Sequence, residues 1–477
     1  MDRLTRKIIG QTIVYIDRGR EYCYRDIIDL INKWHAVFDQ LGLSPGDRIA
    51  VFDTQSVEHV SLVVAAAERG LQYFALPKEV FVSDSEKFDY ESLNIKVVFV
   101  RPFNSKTHNP AEGLGGVGVE DLCYWKICQF NMSKLHEYSP KPVITFENKP
   151  NDVVILSQTS GTTGKPKEFA HTHISLLSAS ESAEKLFYKP GDKVLLYTTF
   201  NHVGVISTQL VPAMMAGATI IGHHEFSGES VLAKLIRYRP NKTIIFPLGL
   251  SQMMRLPEWE NIKLDFIEEV ICGGQLINKE FVDELFAKGV STVQNIYGSS
   301  EALPPVLVST VIASNVESCY NSTDSVALGL PVAGWKVKVV DRVLCVQGRG
   351  MASADWISKR VTDGYYSTGD RATFENNMYW TTGRADKMVR HRDVLVNASA
   401  TERELESTPG IREAIYYVTD QDQLIVGLKF SSHLSQPDQD RLVAHVRNTL
   451  HPDRIHKLKA KNNFESIKGL SAFGDEL

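Results

Sequence analysis

The stretch Ile155–Phe169, "ILSQTSGTTGKPKEF", places two glycines, a run of hydroxyl residues and two lysines between an apolar segment and a helix-like one. Such a combination suits a polyphosphate. Glycine frees backbone N–H groups and permits close approach, hydroxyls donate, and lysine neutralises charge. It is not the P-loop of nucleotide triphosphatases, which needs G-x-x-x-x-G-K followed by Ser or Thr. Lys165 is followed by Pro166, and the position five before Gly164 is Thr159. The stretch reads as a phosphate loop of another kind, with a mobile surface turn as the plain alternative.

Outward from this loop, strands and helices alternate. Ile27, Ile28, Ile31, Trp34, Val37, Phe38 and Leu41 fall at helical spacing, and Gly42 and Pro45-Gly46 end that helix before the strand "DRIAVF". Helices near 57–69, 175–186, 207–216 and 229–237 are each followed by an apolar β-rich run: "LQYFALP", "DKVLLYTTF", "ATIIG" and "KTIIFP". This predicts two doubly wound α/β sheets. Patterning weakens between about 104 and 150, where "SPKPVITFENKP" reads as a connector. Short strands from Gly329 onward, among them "WKVKVVD" and "RVLCVQG", predict a small β-barrel or distorted sheet. A compact α+β domain is expected after Gly383, with strands in "REAIYYVTD" and "QLIVGLKF" and a helix in "DQDRLVAHVRNTL".

The chain of 477 residues is too long for one ordinary core. Its 43% hydrophobic and 23% charged residues are those of a soluble globular protein. A net charge of −5 leaves no global footprint for nucleic acid. The six cysteines form no C-x-x-C pair, so reduced thiols and a cytoplasmic location are expected. The longest apolar stretch, 210–222, is too short to span a bilayer and is broken by Pro212 and Gly217.

Six segments recur in order: "TSGTTGKPK" (159–167), "FNHVG" (200–204), "CGGQLI" (272–277), "NIYGSSEA" (295–302), "YSTGD" (366–370) and "GRADKMV" (383–389). With "LGLSPGDRIAVF" ahead of them, the series resembles the adenylate-forming, AMP-binding superfamily: acyl-CoA synthetases, peptide-synthetase adenylation domains and luciferases. The resemblance spans nearly the whole chain. It implies that a carboxylate attacks the α-phosphate of ATP to give an acyl-adenylate and pyrophosphate. A thiol, that of CoA or of a carrier protein's phosphopantetheine, then displaces AMP.

The same resemblance distributes roles. Thr159, Ser160, Gly161, Thr162, Thr163, Gly164, Lys165 and Lys167 would hold the phosphates, and Glu301 would bind magnesium. Gly273, Gly274, Tyr297, Gly298, Ser299, Ser300, Asp370 and Arg384 would hold adenine and ribose. Asp370 suits the sugar because a carboxylate accepts from two hydroxyl donors. His202, Val203, Ser207, Phe246 and Ile296 would line the acid's pocket, with His202 beside the carboxylate. No acid occurs in "TTFNHVGVIS", which disfavours an amino-acid substrate and leaves an acyl or aryl acid. The implied division is an N-terminal domain of residues 1–382, a hinge at 383–386 turning about Asp386, and a mobile C-terminal domain of residues 387–477.

Departures from the family pattern concentrate late in the chain. Asp393 stands where glycine is expected, and Ala400 where a glutamate is expected, while Glu402 keeps the next one. In "KAKNNFESIKGLSAF" the register that puts Lys461 on the family's basic position puts Ser466 on its catalytic lysine, and Lys468 lies two residues later. Lys468 is the expected catalytic cation. Alternatives are an adenylate donor to a non-thiol acceptor such as an amine, and a nucleotide-binding pseudoenzyme.

Overall fold

The computed structural model describes residues 12–75, 94–100, 128–140, 147–159, 167–200, 202–225, 227–321, 324–384, 388–391, 394–398, 401–402, 405, 408–418, 424–430, 434–449 and 455–461. Two compact units divide the chain: one of Met1–Thr159, Glu168–Lys336 and Val346–Tyr366, the other of Ser160–Lys167, Val337–Cys345 and Ser367–Leu477.

The first unit holds two large sheets. One has nine strands in the order Leu330–Pro331, Leu307–Val311, Thr292–Tyr297, Glu269–Gly273, Lys242–Ile244, Lys193–Leu195, Thr219–Ile221, Ile13–Asp17 and Arg20–Cys23. From Thr292–Tyr297 to Ile13–Asp17 the neighbours run parallel, and antiparallel pairs finish both edges. The other sheet has six strands in the order Cys128–Asn131, Ile95–Val100, Arg48–Phe52, Gln72–Ala75, Val153–Thr159 and Lys167–Thr172. Its first five are parallel to their neighbours.

Local chemistry explains the connecting helices. Tyr24–Gln40 buries Ile27, Leu30, Ile31, Trp34, Val37 and Phe38 on one face, the 3.6-residue periodicity of an amphipathic helix. Trp34 is wholly buried, its ring edge-on to Phe99, and its Nε1 donates to Ser61 Oγ at 3.0 Å. Val57–Arg69 starts on Ser56, whose hydroxyl accepts from His59 N, and stops on Gly70 at φ 74°, a glycine C-cap.

A five-stranded sheet built from strands between Trp335 and Arg384 forms where the small barrel or distorted sheet was expected. In the second unit, the antiparallel pair Met388–His391 and Val394–Asn397 precedes a three-stranded sheet of Ile411–Val418, Leu424–Phe430 and Ile455–Lys461. With the helix Gln436–Thr449 this is the expected α+β arrangement. Ile411, Ala414, Val426, Leu428, Phe430 and Val446 form its core.

The weakly patterned stretch 104–150 holds a strand that the sequence reading passed over, Cys128–Asn131, parallel to Ile95–Val100. Among the described residues no helix is long and apolar enough to cross a membrane, and Cys23, Cys272, Cys319 and Cys345 are free thiols.

Candidate functional site

Four neighbouring parallel strands of the nine-stranded sheet, Lys193–Leu195, Lys242–Ile244, Glu269–Gly273 and Thr292–Tyr297, end on the same side. The segments leaving them enclose a cavity of about 470 Å³. Crevices at the carboxyl ends of parallel strands are where open α/β sheets bind ligands, and this volume is ordinary for a small-molecule site. The run "LLYTTF", read from sequence as continuous strand, stays in the sheet only to Leu195; Tyr197 and Thr198 leave it for the cavity wall.

Of the residues expected in the pocket, the cavity gathers His202, Val203, Phe246 and Ile296. Of the adenine and ribose set, it gathers Gly273, Gly274, Gly298, Ser299 and Ser300. His202 is exposed and caps the short helix Val203–Val205. Ser207 is buried behind this wall, its hydroxyl donating to the Gly204 carbonyl at 3.3 Å. Tyr297 ends its strand, and its carbonyl accepts from Val306 N at 2.8 Å.

The glycines here have different physical causes. A Cβ on Gly273 would collide with the Ile296 carbonyl oxygen of the next strand, so close strand packing alone demands glycine. Gly274 has φ 70° and open space around the position of a Cβ, which leaves its backbone free to lie against a flat ring. At Gly298 a Cβ would sit 2.6 Å from Pro304.

Among the described lining residues there is no Asp, Glu, Lys or Arg. The polar side chains include Gln209 and Gln252, which sequence reading did not select. Gln209 follows His202 by seven residues, the same side of a regular helix, so a signal existed. The chain between them departs from regularity, with a π-helical turn over Ile206–Leu210.

Glu301 is partly buried. Its backbone carbonyl accepts from Ala352 N at 2.7 Å, and its carboxylate is paired with the Tyr366 hydroxyl, which Arg360 also engages. Burial, then the Glu301 charge, pushes the Tyr366 phenol up to about 12. Beside it, His171 Nε2 donates to the Ser300 carbonyl at 2.7 Å. Burial pulls this imidazole down to about 4, so it is neutral near pH 7. His171, Arg360 and Tyr366 support the candidate metal carboxylate and its loop, and spacing alone assigned them nothing.

In the second unit Asp370 and Arg384 face each other across the antiparallel strands Tyr365–Glu375 and Met378–Arg384. Arg384 Nη1 lies 3.7 Å from Asp370 Oδ1 and donates to the Thr368 carbonyl at 3.1 Å. The pair orients a carboxylate that remains partly open, its side chain 17% exposed. Ser160, Gly161, Thr162, Thr163, Gly164, Lys165, Asp386 and Lys468 lie outside the described residues. Thr159 and Lys167 belong to flanking strands in which only their backbone is described.

Residues 6–366 match the family model described as AMP-binding enzyme. The chain is similar to the indoleacetate–CoA ligase of Aromatoleum aromaticum, with 25% identity over 282 residues that cover 55% of this chain and 54% of the ligase, so the match spans about half of that relative. It is also similar to the feruloyl-CoA synthase of an Amycolatopsis species, with 23% identity over 444 residues covering 87% of this chain and 85% of the synthase. In fold it resembles the o-succinylbenzoate CoA synthetase of Bacillus subtilis, solved with its acyl-adenylate intermediate, with a TM-score of 0.77 at 16% identity over 99% of this chain and 96% of that one. The family match covers well over half of the chain, and the protein belongs to the family of AMP-binding enzymes.

Proposed function

We propose that the protein activates a non-amino carboxylic acid with ATP, releasing pyrophosphate, and transfers the acyl group from the adenylate to a thiol of CoA or of a carrier protein. The observation that carries this reading is the cavity, lined by no Asp, Glu, Lys or Arg among the described residues, at the carboxyl ends of four parallel strands and bordered by Gly273–Gly274 and Gly298–Ser300. A wall without a carboxylate has nothing to pair with an α-ammonium group, and an unpaired buried charge is costly. The names of the indoleacetate and ferulate ligases point to aromatic acids in those relatives.

The 159–167 loop would hold the ATP phosphates, Asp370 the ribose, Arg384 the nucleotide, and His202 the acid's carboxylate. Magnesium bound with a nucleotide needs only one or two protein carboxylates because phosphates and water supply the rest. The partly buried Glu301, held by Tyr366, fits that demand. The ion would neutralise phosphate charge. Lys468 would lie between the carboxylate and the α-phosphate while two anions approach. Residues 1–382, the hinge 383–386 and the domain 387–477 would divide the two half-reactions between them.

The test is exchange of labelled pyrophosphate into ATP across a panel of carboxylic acids. Exchange only with an acid present supports activation, and its absence with every acid while ATP still binds would point to a pseudoenzyme. Acyl transfer to amines but not to CoA or a carrier thiol would replace the acceptor. Glu301→Gln should raise the magnesium requirement, since an amide is a poorer ligand for a hard cation. Lys468→Ala should slow adenylation by about a hundredfold and barely affect presynthesised acyl-adenylate; equal rates in both steps would remove Lys468 from the mechanism.

A further inference from the structure

Two amides in the cavity wall carry buried atoms without partners among the described residues. Gln209, on the π-helical turn, is wholly buried, and neither its amide oxygen nor its amide nitrogen has a hydrogen-bond partner among the described residues. Gln252, at the end of the helix Pro247–Met253, has its carbonyl oxygen in the same condition. Nearby wall positions are apolar: Val203, Val205, Ile244 and Phe246.

Buried polar atoms in native proteins are almost always paired, and an unpaired amide opposes folding. Methionine fills similar volume with no such penalty, so packing does not call for glutamine at 209. The turn that carries it is itself unusual, because π-helical turns are rare and recur at functional sites. The amide is closed off from solvent as it stands, so a group in the cavity would relieve the cost only if the amide turns toward it and the group both donates and accepts. A hydroxyl does both, donating to Oε1 and accepting from Nε2. A charged tail is unsuited, since the described wall offers it no counter-charge.

We propose that the acid activated by this protein carries a neutral hydroxyl on its apolar tail, and that Gln209, assisted by Gln252, recognises that hydroxyl. This inference rests on the reading of the cavity as the acid's site. It names the tail's chemistry and a specificity-determining residue.

The test compares matched acids, phenylacetate with para-hydroxyphenylacetate and octanoate with its terminal hydroxy derivative, on the full chain and on Gln209→Met. Binding is read by ligand-induced shift of thermal unfolding, and turnover by pyrophosphate exchange. The parent protein should favour the hydroxylated member of at least one pair by about tenfold or more, since a site built to hydrogen-bond a hydroxyl rejects the analogue lacking it. Gln209→Met should erase that preference, chiefly by gaining affinity for the unsubstituted acid. Retained unfolding cooperativity in the variant excludes misfolding as the cause. A preference that survives in Gln209→Met, equal binding of both members of each pair by the parent, or binding of none of these acids would overturn the proposal. Gln209-dependent preference in binding without pyrophosphate exchange would sustain it and refute the activation reading alone.

Discussion

Around the start of the helix Val57–Arg69, buried polar groups form a closed circuit. Asp17 Oδ1 accepts from His224 Nε2 at 2.6 Å, and Asp17 Oδ2 accepts from Val57 N at 3.0 Å. The other His224 nitrogen meets the Thr54 hydroxyl. His59 Nδ1 donates to the Thr54 carbonyl at 2.6 Å, and its Nε2 accepts from the Tyr73 hydroxyl at 2.7 Å. In the cavity, Gln209 is as deeply buried and pairs with nothing described. An Asp-His-Thr arrangement invites a catalytic reading and a lone glutamine does not, yet each polar side chain of the circuit already has a protein partner and the amide has none described. Satisfaction, more than residue type, separates polar groups that hold the fold from those held ready for something else.

The largest effect should come from breaking the closed circuit. Asp17→Ala removes a carboxylate that burial pushes up in pKa but that the His224 hydrogen bond and charge bring to a net lowering. It leaves His224 Nε2 and Val57 N without their partner. A loss on the order of 3–5 kcal/mol is expected by urea unfolding, and a loss below about 1 kcal/mol would show that the circuit is dispensable.

Next comes acid. Burial lowers His171 to about 4, and burial aided by the Lys234 charge lowers His223 to about 3. Between these values and the ordinary 6.5 the unfolded chain binds more protons than the folded one. Their contribution is therefore complete above about pH 6.5 and is lost as pH falls toward 4. His171→Gln offers a donor to Ser300 without titrating, so it should reduce the acid-side loss by on the order of 3 kcal/mol. An unchanged pH slope would contradict the burial of a neutral imidazole there.

The smallest effect belongs to Gln209→Met, which removes unpaired groups and should leave stability within about 1 kcal/mol of the parent, with any change stabilising. Destabilisation beyond that would place Gln209 with Asp17, among residues the fold requires.

Much of the fold was readable because its signals are local. The helices Tyr24–Gln40 and Val57–Arg69 announce themselves through apolar spacing and their caps. Cys128–Asn131 was missed because its partner in the six-stranded sheet, Ile95–Val100, and not its own four residues, makes it a strand. At the site, motif order brought forward His202, Gly273, Gly274 and Ser300, which do share one cavity. Gln209 and Gln252 were not legible, since an amide's lack of a partner is a property of the packed interior. His171 was hidden likewise, its role arising from a carbonyl in the loop before Glu301.

The strand Ile13–Asp17 pairs on one side with Arg20–Cys23 and on the other with Thr219–Ile221. At typical synthesis rates its second partner emerges from the ribosome roughly 10–40 s after the strand itself. During that interval Val14 and Ile16 have no sheet to enter, and closing so long a loop is entropically costly. Asp17, which joins this strand to Val57 N and to His224, can complete its bonds only after that closure. Of the strands in this sheet, Ile13–Asp17 thus waits longest for its parallel neighbour, and in that interval it has most to gain from a chaperone.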